Sequence, residues 1–169
     1  MWKLLKSLLG QPGCPEESST QEWTIRGGKS VPVDEVFRAT NSGDLGRMVR
    51  ALRLKTHPVD RHFLLMAVVK ESYRLRADPK MADLCADAAQ THVAEFRELA
   101  PALKREFDGS LPRVSTFQHF ATLLTERGEF ERAVGVCEKA IAFGLDDGTK
   151  GGFQGRIKRI QKKAARESK

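Results

Sequence analysis

The sequence predicts an all-α fold, and three observations carry that reading. Apolar residues recur at helical spacing: Phe117, Phe120, Ala121 and Leu124 fall at i, i+3, i+4 and i+7, and Phe130, Ala133, Val134, Cys137, Ala140 and Ile141 repeat one face in the next segment. Helix-start signals stand at the right places, with Asp34 and Asp44 as N-caps and Asp78-Pro79 as an N-cap followed by a first-turn proline. The seven prolines and fourteen glycines lie mostly between the periodic segments. No run approaches the ~18 apolar residues that a membrane helix needs.

Residues 116–143 read as two helices folded back on each other around Gly128, where the chain turns with little room and glycine is tolerated best. Arg127 suits the negative end of the first helix dipole, and Glu129 and Glu131 suit the start of the second. Ala121, Ala133 and Ala140 fall where the helices touch, and Phe117, Phe120 and Phe130 fill the space around them.

That arrangement resembles a tetratricopeptide repeat, a helical hairpin with small residues at fixed offsets. With Gly128 as the inter-helix glycine, Phe130 takes the aromatic position, and Ala121, Ala133 and Ala140 take the three small ones. Phe117 stands where tryptophan is usual, and Leu124 where tyrosine is usual. Gly43 and Ala77 lie 34 residues apart, the repeat period. Ala77 and Gly128 lie 51 apart, one period and a half. In the middle unit Tyr73, Ala82, Ala86 and Ala89 match the pattern, while Lys70 departs from a small position. In the first unit Met48 and Lys55 stand where alanines are usual. The resemblance implies tetratricopeptide-like hairpins in a short right-handed solenoid with a C-terminal capping helix.

In chain order, residues 1–9 form an amphipathic segment with Trp2, Leu5 and Leu9 on one side. They lack the apolar core and cleavage site of a signal peptide. They are suited to interfacial membrane contact, or to docking on the protein body or a partner. Residues 10–33 read as a flexible linker or extended arm, with a small hairpin as the alternative for 22–33, where Gly27-Gly28 is a turn signal. The helical repeat domain is expected over 34–169. Within it, a helix from Pro58 runs through Arg76, another from Pro79 to about Leu99, and Pro101 opens a further segment. A last helix carries Phe153, Ile157, Ile160 and Ala164 on one stripe, as expected of a cap covering the helix before it.

The net charge of +7 belongs to the C-terminus. Residues 1–149 hold 21 basic and 21 acidic residues, whereas 150–169 hold eight basic residues against Glu167 alone. The basic patch Arg156, Arg159, Lys162 and Lys163, with Lys158 and Arg166 beside it, has three readings: a solvated outer face, a site for an acidic protein, or a site for a nucleic-acid backbone. Three scattered cysteines, Cys14, Cys85 and Cys137, argue for a reducing, cytoplasmic compartment. Cys85 and Cys137 sit on apolar helix faces as small hydrophobes.

No catalytic constellation can be nominated. The 144–150 stretch lacks the Gly-Lys-Ser/Thr order of a phosphate loop. His57, His62, His92 and His119 have no metal-ligand spacing and read as surface or boundary residues, so no metal or cofactor is expected. The expected function is a non-catalytic protein-interaction scaffold, with a nucleic-acid-associated protein as the competing class. The family resemblance implies that the first helix of each pair lines a concave surface that receives partner peptides. Its polar positions here are Glu71 and Arg74 in the middle unit and Gln118, Thr122 and Thr125 in the last. The family's carboxylate-binding variant uses lysine and asparagine at such positions; Thr122 departs from it, so that ligand class is not implied.

Overall fold

The computed structural model describes residues 21–168. The readings of residues 1–9 and 10–20 lie outside them. The described chain is predominantly helical: a hairpin of β1 (Trp23–Arg26) and β2 (Lys29–Pro32) precedes seven helices. These are α1 (Glu35–Asn41), α2 (Leu45–Ala51), α3 (Pro58–Arg74), α4 (Pro79–Glu106), α5 (Ser115–Glu126), α6 (Phe130–Ala142) and α7 (Gly152–Glu167).

The helix starts follow the expected caps. Asp34 accepts from the Phe37 amide at 2.8 Å, Asp44 from that of Arg47 at 3.0 Å, and Asp78 from that of Lys80 at 2.8 Å. Of the two forms left open for 22–33, the chain adopts the hairpin, with Trp23 opposite Pro32 and Arg26 opposite Lys29. Arg26 ties it to the helices: its Nε donates to both carboxylate oxygens of Asp60, at 3.1 and 3.0 Å.

Two sequence readings need correction. Pro101 does not open a new segment, because α4 runs unbroken through it to Glu106. Pro101 is exposed while Ala100, Ala102 and Leu103 are buried. The carbonyl it leaves unpaired therefore faces water, and packing of its neighbours holds the helix together. Gly128 does not sit in a crowded turn, since an added Cβ would meet nothing within 4 Å. Its requirement is conformational: φ is +77°, a left-handed value that a side chain disfavours.

Consecutive helices pair, α1 with α2, α3 with α4, and α5 with α6, and each pair packs on the next. The α3–α4 contact is the centre of the core, with Leu64, Val68 and Val69 in one cluster with Cys85, Ala89, Val93 and Phe96. Phe96 joins it to the last hairpin, its ring 5.3 Å from Phe117 and 4.9 Å from Phe143, both edge-on. Ala121, Ala133 and Ala140 are fully buried, as their position between bulky neighbours required. The helix α7 lies on α6 with Phe153 and Ile160 buried and Ile157 half-buried.

A candidate recognition face on the first helices

Because α3 touches both α1 and α5, the first members of the three pairs stand side by side. Their common face is entered by a pocket of about 310 Å³. Helical spacing explains its lining. Phe63, Met66, Ala67 and Lys70 form one stripe of α3, Phe37 and Asn41 one turn of α1, and Ser115 opens α5. Arg26 and Asp60 close the pocket at the hairpin end, and Arg26 lies over the Phe37 ring at 5.4 Å.

Toward the other end, His119 on α5 stacks on Tyr73 of α3 with ring centroids 4.5 Å apart. Arg76 covers the other ring partner, 4.0 Å from the Tyr73 centroid, and is itself held by Glu126 at 2.9 Å. Burial lowers the His119 pKa, and the charges of Arg156, Arg76, Arg113 and Lys70 lower it further. The charges that weigh most on this imidazole are thus cations. Arg76 and Arg156 are balanced by carboxylates, but among the described residues Lys70 and Arg113 form no ion pair.

The five residues expected to line the groove fall in three environments. Glu71 and Arg74 pair with each other at 2.9 Å, and Arg74 is 70% exposed. Gln118 accepts from Arg113 at 3.5 Å at the edge of the cationic end. Thr122 and Thr125 are engaged by α7 instead: the Thr122 hydroxyl accepts from Arg156 at 3.0 Å, and the Thr125 carbonyl accepts from Lys163 at 3.1 Å. Lys70 and Arg113 were missed; Lys70 had entered the sequence reading only as a departure from a small position.

The basic patch on α7 is divided. Arg156 does not point to solvent, its side chain being only 14% exposed. It donates from Nε and Nη2 to Asp147, whose carboxylate also accepts from the Thr149 amide and hydroxyl, at 3.0 and 2.6 Å. Burial works against the Asp147 charge, yet the bonds from Thr149 and Arg156 hold its carboxyl below the usual range. The 144–150 loop is therefore a structural knot between α5, α6 and α7. Lys163 lies 5.8 Å from the Phe130 centroid and pairs with Glu167. Arg159 and Lys162 are exposed.

The histidines also need correction, because His62 and His92 are fully buried. His62 Nδ1 and His92 Nε2 are 2.9 Å apart, and His92 Nδ1 is 2.7 Å from the Thr116 hydroxyl. Burial depresses His62 to about 4 and His92 well below its ordinary value, so both are neutral at pH 7. The signal for this was weak, since a histidine at an apolar helix position looks the same whether it is buried or lies at a boundary. Burial also raises the Cys85 thiol, and Cys137 up to about 11. Among the described residues no cluster of three or more His, Cys, Asp or Glu is placed to hold a metal ion, and no helix is long and apolar enough to cross a membrane.

A second groove of about 420 Å³ runs between α4 and α6 over Phe120 and Leu124. Its rim is bonded internally, Arg132 reaching Gln90 at 3.2 Å and pairing with Glu129. No family model matches the chain, and neither does any curated protein or solved structure.

Proposed function

We propose that the chain is a non-catalytic scaffold of tetratricopeptide-like hairpins that binds an acidic peptide segment of a partner protein on the shared face of α1, α3 and α5. The order of helix contacts supports the repeat reading: each hairpin packs on the next, α3 lies between α1 and α5, and small residues fill the hairpin interface. One observation carries the functional reading. The pocket on the first helices joins an apolar floor, Phe63 and Met66, to Lys70, and Arg113 stands outside its lining, bonded to Gln118; among the described residues neither cation has a carboxylate partner. Apolar surface supplies affinity, and the cations select a segment of opposite charge.

A random-peptide library selected against the immobilised full chain tests this. Enriched sequences should carry Asp or Glu beside an apolar residue. They should bind Lys70→Glu/Arg113→Glu at least about tenfold more weakly, a loss of ~1.4 kcal/mol. Enrichment without acidic residues, or binding indifferent to both substitutions, contradicts the proposal.

A further inference from the structure

The six cations of α7 belong to two sets. Arg156 and Lys163 turn inward, to Asp147 and Thr122 in one case and to the Thr125 carbonyl and Glu167 in the other. Lys158, Arg159, Lys162 and Arg166 are exposed, and among the described residues none of them forms an ion pair. Lys158, Lys162 and Arg166 follow one another at i, i+4 and i+8, so they form a stripe ~12 Å long with Arg159 beside it. Like charges at that spacing disfavour a helix. Nothing in the packing of α7 calls for the stripe, since the helix is held by Phe153, Ile160 and Arg156 on its other side.

We propose that the outer face of α7 binds the phosphate backbone of a nucleic-acid duplex without reading its sequence. Three features favour this occupant. The exposed positions 158, 159, 161, 162, 165 and 166 hold Lys, Arg, Gln, Lys, Ala and Arg, with no large apolar side chain. A protein interface centres on buried aromatic or aliphatic anchors, and this face offers none. An interfacial helix inserts its apolar face into lipid, but the apolar face of α7 is already packed on α6. A phosphate backbone asks only for regularly spaced cations. Each strand of a duplex presents one charge per ~3.4 Å of axis, so about three or four phosphates of one strand pass along the stripe, a number comparable with the four cations. Contacts to the backbone alone position a duplex and carry no sequence information.

The test is fluorescence anisotropy of labelled duplex DNA, and separately duplex RNA, with the full chain between roughly 50 and 200 mM salt. For four contacts on DNA, log K should fall with log salt at a slope of about −3.6. Lys162→Gln and Arg166→Gln should each make the slope shallower by about one. Lys158→Gln/Arg159→Gln/Lys162→Gln/Arg166→Gln should abolish binding while its thermal melt matches that of the parent. Lys70→Glu/Arg113→Glu should bind DNA as the parent does. A slope near zero, undiminished binding by the fourfold variant, or loss of binding in Lys70→Glu/Arg113→Glu would overturn the proposal. So would equal affinity for polyglutamate, or for anionic lipid vesicles, at matched charge.

Discussion

Arg156 and Asp147 form a closed pair at the base of α7. Two guanidinium nitrogens reach one carboxylate oxygen at 3.1 and 3.0 Å, and the carboxylate has no exposure. Removing one partner of such a pair strands a buried charge, which typically costs ~3–5 kcal/mol. Arg156→Glu should therefore lower the melting temperature sharply, whereas Arg159→Glu, a few residues on and exposed, should stay within about 0.5 kcal/mol of the parent. Comparative thermal melts decide it. Equal effects from both would mean that Asp147 does not need Arg156.

The sequence could not separate these two arginines. Both lie in one basic run, and the helical wheel puts Arg156 only at the border of the Phe153, Ile157 and Ile160 stripe, which does not decide between solvent and burial. What distinguishes it is Asp147, placed by the loop between α6 and α7, a long-range relation that periodicity does not carry. The hairpin helices were legible because their signals are local: side-chain caps at Asp34, Asp44 and Asp78, and alanines between bulky neighbours at 121, 133 and 140. Pro101 misled because its local preference was outweighed by burial of Ala100, Ala102 and Leu103. At the candidate site, no local signal marks Thr122 and Thr125 as residues covered by α7.

The alanine contacts within the last hairpin leave no room for growth. Ala140 is fully buried between helices, and Ala140→Leu should cost about 1–3 kcal/mol by overpacking. Denaturant unfolding measures it directly, and an unchanged midpoint would mean that the hairpin can spread without penalty.

The attachment of α7 rests on Phe153 and Ile160, with Ile157 only half-buried. Burial of a large aliphatic side chain contributes roughly 1.5–3 kcal/mol. Ile160→Asp should accordingly destabilise the protein more than Ile157→Asp does. A reversed order in chemical denaturation would require α7 to be rotated about its axis.

The buried histidine pair makes stability depend on pH in a defined window. His62 titrates near 4 in the folded chain and near 6.5 when unfolded. Below pH 6.5 the unfolded chain therefore takes up a proton that the folded chain refuses. Stability is intact at pH 7 and falls as pH drops from 6.5 toward 4, by roughly 3 kcal/mol for this one residue. His92 acts in the same direction. Melts at pH 7 and pH 5 should differ clearly, and much less in His62→Leu/His92→Leu. An equal pH dependence in that variant would place the titrating groups elsewhere.

The central claim is that a partner segment lies across the first helices. The most direct measurement is an amide chemical-shift map of the full chain titrated with a library-selected acidic peptide. Shifts should concentrate at Phe37, Phe63, Lys70, Arg113 and Gln118, on or beside α1, α3 and α5. Shifts concentrated instead at Gln90, Ala94, Gly135 and Lys139, which line the groove between α4 and α6, would contradict the account.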